Sequence, residues 1–315
     1  MIPLTEIEQA RERIAGAAVR TPLVRLYVDA PAEIWLKLEN LQPVGAFKIR
    51  GATNAIRGAS PDALAGGVVT ASAGNMAQGV AWAAREAGVP ATIVVPDHAP
   101  QTKLDAIERL GGRVIKVPFD RWWQVIEESR FDGADGLFVH PVQDELVMAG
   151  NGTIGLELVE DLPDVDTVLI PYGGGGLSTG IASAVKQLRP GVKVYGVDPE
   201  TGPSLSGAFE AGEPVEVAYT PSFVDGSGGR GVLASMWPCV SEVLDGAYVA
   251  SLDETAAAIR LLAERVRVIA EGAGALATAV ALSGRAGGGK IVCIVSGGNI
   301  DASTLARILA GETPK

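Results

Sequence analysis

Two histidines, His98 and His140, and two cysteines, Cys239 and Cys293, are all that 315 residues hold of the side chains on which most transition-metal centres depend. Neither histidine belongs to an HExxH-like ligand pattern and the cysteines lack CxxC spacing. That removes most metalloenzyme, catalytic-triad and disulfide-framework readings. Both cysteines are expected to be buried as small hydrophobes. Surplus positive charge is missing too. With 26 Lys and Arg against 37 Asp and Glu the net charge is −11, and the sequence pI is near 4.8. No basic stripe stands out, so nucleic acid and anionic membrane are not expected partners. No apolar run is long enough to span a bilayer. The opening "MIPLTEIEQARERIAGAAVRTP" carries Glu6, Glu8 and Glu12 where a secretory signal would have a basic and then an apolar region, so a cytoplasmic protein is expected. Internal repeats and low-complexity segments are absent, and any division into domains must come from the chain crossing back and forth.

What is present is apolar and rich in glycine: 47% of residues are hydrophobic and 40 are Gly, enough to bury a large core. The runs "GVVTAS", "ATIVVP", "RVIKVP", "TVLIPY", "KVYGVDP" and "KIVCIVSGGN" read as strands. Between them lie helical stretches: "NMAQGVAWAAREAG", "QTKLDAIERLGG", one from Leu177 to about Leu188, and "DETAAAIRLLAERVRVI". Near-continuous apolar strands alternating with helices predict an α/β fold whose parallel sheet is covered on both faces.

Three glycine clusters differ in value. "TVLIPYGGGGLSTGIASAV" runs from a strand through Gly173, Gly174, Gly175 and Gly176 into a helix. Backbone N–H groups in such a turn, added to the positive end of the helix dipole, make a phosphate site. The third glycine of a dinucleotide fingerprint would fall on Ser178 or Thr179, so a monophosphate fits better. "GRAGGGK", Gly284 to Lys290, approaches Walker A spacing, but Ile291 replaces the Ser/Thr and the lysine opens a strand, against nucleotide triphosphate binding. "EGAGALATA", Glu271 to Ala279, reads as a continuation of the preceding helix, with its glycines used for packing.

In "PVGAFKIRGA", Lys48 stands at the start of a helix with the most apolar immediate sequence of the eight lysines. Desolvation disfavours the ammonium form, and a neutral amine is what Schiff-base chemistry needs. "TASAGNMAQGVAWAA" adds a strand end, a Ser/Gly/Asn turn and a helix start. There Ser72, Gly74 and Asn75 offer N–H groups to a carboxylate, and the Asn75 amide can bond a phenolic oxygen. Ser296, at the end of the last strand, carries a hydroxyl that can bond a neutral ring nitrogen. A Schiff-base lysine, a phosphate loop, a carboxylate turn and a ring-nitrogen partner together match pyridoxal phosphate.

In order along nearly the whole chain, "LKLENLQPVGAFKIRGA", "SAGNMAQGVA", "GGGGL" and "VSGGN" resemble the serine/threonine dehydratase branch of the fold-type II pyridoxal phosphate enzymes, the tryptophan synthase β-like family. The resemblance implies two open, twisted, mostly parallel sheets flanked by helices. It implies a small mobile domain, residues 67–143, closing on a large one made of 1–66 and 144–315, and a homodimer. Lys48 would bond the cofactor and, once freed, remove the Cα proton. Phe47 would lie against the cofactor ring, Gly173 to Gly176 with Leu177 on its phosphate, Asn75 on its 3-oxygen and Ser296 on its ring nitrogen. Ser72, Ala73, Gly74, Asn75 and Met76 would hold the amino-acid substrate. The implied reaction converts a β-hydroxy amino acid such as threonine, serine or a bulkier analogue into a 2-oxo acid and ammonia.

Departures from the family pattern refine these expectations. Ala73 stands where serine racemases carry a second serine, which disfavours racemisation. Asp198 fits the first ligand of the family's cation site, but Gly202 and Ser204 follow where another acid would be expected, so no metal is expected. The chain ends soon after "VSGGNID", so no C-terminal regulatory domain is expected. Ala46 and Met76 replace the usual Ser and His. "VPFDRWWQV" adds Trp122 and Trp123; if they line the entrance, the substrate is bulkier or more apolar than threonine. The competing readings are β-replacement by a thiol or other nucleophile, and a non-catalytic binder that keeps the fold.

Overall fold

A computed structural model describes residues 1–315. Its ten strands are β1 Leu23–Leu26, β2 Glu33–Lys37, β3 Val68–Ala71, β4 Ala91–Pro96, β5 Gly112–Val117, β6 Leu137–Phe138, β7 Thr167–Pro171, β8 Lys193–Pro199, β9 Gly246–Ala250 and β10 Lys290–Ile294. They form a six-stranded sheet, β1-β2-β10-β7-β8-β9, and a four-stranded sheet, β5-β4-β3-β6. Apart from the antiparallel β1–β2 pair, every pairing is parallel. No helix is long and apolar enough to cross a membrane.

The apolar runs follow from burial on both sheet faces. Successive side chains of a strand point to opposite faces. Accordingly Val168 and Ile170 enter one hydrophobic cluster while Leu169 enters another. Strand β10 divides the same way, with Val292 and Ile294 on one side and Ile291 and Cys293 on the other. In the smaller sheet Ile93 and Val95 face one cluster and Val94 the other. The first of these clusters also takes Ala52, Ala55 and Ile56 from the helix Lys48–Gly58. The helix that begins with Lys48 is therefore packed against the small sheet.

Two expectations need correction. The stretch "DETAAAIRLLAERVRVI" is not one helix: Leu252–Leu261 is α-helical, Leu262–Val266 is a π-helical turn, and Arg267 turns left-handed with φ 66°. The β-branched residues Val266, Val268 and Ile269 are poor helix formers, and the chain breaks there. Nor does "EGAGALATA" continue that helix; a new one, Gly272–Leu282, starts after an extended Glu271. Its glycines do serve packing, since a Cβ on Gly272 would lie 2.8 Å from the Phe223 carbonyl oxygen. Cys293 is buried as expected, but Cys239 is only partly covered.

Candidate active site

A cavity of about 500 Å³ opens between the two sheets, within the size range of small-molecule sites. Parallel strands deliver it, because the chain leaves the strands of a parallel sheet at one common edge. The turn after β3 supplies Ser72 to Met76, the segment after β4 Pro96 to Lys103, the helix after β5 Phe119 and Trp122, and the turn after β6 Pro141 and Val142. From the large sheet come Gly173 to Leu177 after β7 and Ser296 after β10. The residues expected to bind cofactor and substrate thus line one cavity: Phe47 and Lys48, the Ser72–Met76 turn, the Gly173–Leu177 segment and Ser296.

Lys48 is the first residue of its helix. Its Nζ donates to the Pro141 carbonyl oxygen at 3.1 Å and sits 5.1 Å from the centre of the Phe47 ring. Burial pushes its pKa down to about 8, and the negative charge of Glu271 opposes that fall without cancelling it. A measurable fraction of neutral amine is available near neutrality. The turn that brings Pro141 to Lys48 is held by His140, whose Nδ1 accepts from the amides of Val142 at 3.0 Å and Gln143 at 2.9 Å. Burial lowers the His140 pKa to about 4, so the ring stays neutral and keeps its acceptor nitrogen.

The glycine loop has the shape of an anion cradle. Gly175 caps the helix Gly176–Leu188 with φ 98°, a conformation that favours glycine. A Cβ on Gly174 would lie 2.8 Å from a Val142 methyl, and one on Gly176 2.9 Å from the Val142 carbonyl oxygen. The amides of Gly173, Gly174 and Gly175 donate to no other backbone group. Free N–H groups at a helix N-terminus suit a phosphate. Ala46 and Met76, the two apolar departures, are both buried, and Met76 reaches the cavity wall.

Glu271 was not singled out in the sequence, yet it lines the same cavity. It accepts from Asn75 Nδ2 at 2.8 Å and from the Asn299 amide at 3.1 Å. Burial, then the nearby Asp225, raises its pKa to about 7. The Asn75 side chain is thereby engaged on both atoms: Nδ2 donates to Glu271, and Oδ1 accepts from Asn299 Nδ2 at 2.8 Å. One of the two amide hydrogens remains for a ligand oxygen. Asp198 lies in the core, accepting from the Ser206 amide at 2.8 Å, and burial raises its pKa to about 7. Of the two tryptophans, Trp122 lines the cavity, whereas Trp123 is exposed and donates to Glu127.

A buried amine of lowered pKa, a free N–H cradle and a hydroxyl at a strand end fit a group carrying an electrophilic carbonyl, a phosphate and a ring nitrogen. The comparisons agree. A family model described as "Pyridoxal-phosphate dependent enzyme" matches residues 14–297. Two relatives named L-threonine ammonia-lyase, from Geobacter sulfurreducens and Thermotoga maritima, are 40% and 41% identical, each over 98% of this chain and 78% of the relative. The processed form of threonine deaminase isoform 2 from Solanum lycopersicum superposes with a TM-score of 0.86 at 34% identity, covering 98% of this chain and 87% of that one. Maize serine racemase superposes with a TM-score of 0.86 at 31% identity, covering 98% and 96%.

Proposed function

The chain belongs to the pyridoxal-phosphate dependent enzyme family, and from that premise we propose that it is an ammonia-lyase that converts a β-hydroxy α-amino acid into a 2-oxo acid and ammonia. The observation that carries this reading is the presence of the Lys48 amine, with its pKa near 8, in one cavity with the glycine loop, the Ser72–Asn75 turn and Ser296.

Pyridoxal phosphate, when bound, supplies an aldehyde that condenses with amines and an electron-withdrawing ring that acidifies Cα. Gly173 to Gly176 and Leu177 would hold its phosphate, Phe47 would face the ring, Asn75 would bond the 3-oxygen, and Ser296 would bond the ring nitrogen without protonating it. The turn at Ser72, Ala73, Gly74, Asn75 and Met76 holds the substrate carboxylate and orients the Cα hydrogen toward Lys48. Lys48, as a neutral amine, would accept that proton. The β-hydroxyl leaves as water, the resulting enamine tautomerises to an imine, and water hydrolyses it to the 2-oxo acid and ammonia. Water lost in the first stage is thus regained in the second. Ala73 offers no proton carrier on the opposite face, which favours elimination over racemisation.

Residues 67–143 act as a small mobile domain that closes on residues 1–66 and 144–315 and excludes solvent. The protein works as a homodimer in the cytoplasm. The test is 2-oxo acid release from threonine and serine by the pyridoxal-phosphate-loaded protein. Turnover that falls at least about 1000-fold in Lys48→Ala supports the reading. A loaded protein that releases no 2-oxo acid from any β-hydroxy amino acid ends it.

A further inference from the structure

The lateral order β5-β4-β3-β6 fixes what stands beside what along the cavity. After β6, Pro141 meets the Lys48 amine at 3.1 Å. Beside it, β3 ends in the Ser72–Asn75 turn. Two strands further across, β5 ends at Val117 and the chain enters the helix Phe119–Glu128 through Pro118. Neighbouring strands lie about 4.8 Å apart, so roughly 10 Å separates the carboxylate turn from the start of that helix.

Phe119 and Trp122, three positions apart, share one helix face. Their rings are 5.6 Å apart at an interplanar angle of 40°, and the His98 ring lies 5.9 Å from Phe119. Trp122 rests on the cluster of Val69, Ala71, Val94, Val125 and Ile126, which holds the indole in place. Phe119 is 50% exposed although it lines the cavity, an apolar surface with no cover in the fold itself. Of the basic side chains that line the cavity beyond Lys48, Lys103 is paired with Asp225 and His98 with Asp97 at 3.3 Å. Neither waits unpaired for an acidic side chain.

Building on the elimination reading, we propose that Phe119 and Trp122 form a specificity wall for the β-substituent, and that the substrate is a β-hydroxy amino acid bearing an aryl or similarly large apolar group. A methyl on Cβ, as in threonine, leaves the wall bare. An aromatic ring on Cβ spans the gap and packs against the indole in an offset or tilted geometry.

Two measurements on the pyridoxal-phosphate-loaded protein test this. The first is kcat/KM for 3-phenylserine and for threonine, in the wild type, Trp122→Ala and Phe119→Ala. The wild type should favour 3-phenylserine by roughly tenfold or more, and that ratio should fall by a similar factor in each variant. The second is tryptophan-fluorescence titration with phenylalanine and 2-aminobutyrate, which lack the β-hydroxyl and so report binding without elimination. Phenylalanine should bind about tenfold tighter in the wild type, and Phe119→Ala should abolish the preference. Trp122→Phe, which keeps a ring, should retain most of both preferences. A wild type that prefers threonine and 2-aminobutyrate overturns the wall, as do variants in which both substrates decline in parallel. Should no 2-oxo acid form from any substrate while the phenylalanine preference is present and lost in Phe119→Ala, the elimination reading fails and the wall stands.

Discussion

At the scale of single residues the site is a matter of where protons sit. Lys48 titrates near 8 instead of its ordinary 10.5 because burial penalises the ammonium form. In cofactor-free protein its acylation by a small acyl donor such as acetic anhydride, with acetate leaving, should therefore rise with pH through about 8. Peptide mass spectrometry would follow it, and a rise delayed to about 10.5 would contradict the assignment. Glu271 carries the opposite kind of perturbation, raised from 4.5 to about 7. Between those values the folded protein holds this proton more tightly than the unfolded chain. The corresponding stability is present below about pH 4.5 and is lost as pH rises to about 7, by at most about 3 kcal/mol. Glu271→Gln should gain stability relative to the wild type over that window, read from denaturant midpoints at pH 4.5, 6 and 7.5. A difference that does not change with pH would remove Glu271 from this role. The contrast between the two residues explains what was legible in the sequence. Lys48, the glycine loop, Ser72 to Met76 and Ser296 belong to short motifs whose chemistry is local. Glu271 gains its meaning from Asn75, 196 positions away, and from burial that no local pattern records.

Among the elements, glycines fix how closely helices approach. The helices Glu145–Asp161 and Gly176–Leu188 pack through Gly152, Gly155 and Gly180. A Cβ on Gly155 would lie 2.7 Å from the Ile181 carbonyl oxygen, and one on Gly180 would overlap the Met148 carbonyl oxygen. This contact sets the depth of the glycine loop, whose Gly175 caps the second helix. Gly180→Ala should cost about 3 kcal/mol in urea unfolding and weaken pyridoxal phosphate retention. Unchanged stability would show that the helices separate without penalty. Six strands were readable as apolar runs, whereas β1, β2, β6 and β9 were not, being short and, in β1, β6 and β9, largely half-buried; strand order was not readable either, since pairing partners lie far apart in the chain. The two tryptophans show the limit of composition alone. Adjacent positions on a helix point about 100° apart, so one indole enters the cavity wall and the other meets solvent.

Across the whole molecule, a buried ionic network ties the Lys48 helix to the large sheet. Arg50 donates to Glu39 at 2.8 Å and to Glu157 at 2.7 Å, while Lys37 of β2 donates to Glu157 at 2.6 Å. Burial pushes the Glu39 pKa up, but the charge and hydrogen bonds of Arg50 outweigh it and hold the carboxylate below its ordinary value. Arg50→Met would leave both carboxylates without this partner and should cost about 3–5 kcal/mol. Equilibrium unfolding at pH 7 measures it, and a loss under 1 kcal/mol would mean that the network relaxes around the gap. Topology carries a last consequence, for synthesis on the ribosome. Strand β10, residues 290–294, lies between β2 and β7 in the large sheet, whereas the four strands of the small sheet come from one continuous stretch. The small sheet can assemble while translation continues, but β2 and β7 wait with open edges until residues 290–294 have emerged. Over that interval the nascent protein is exposed to edge-to-edge aggregation, and it is strand β10 that ends the exposure.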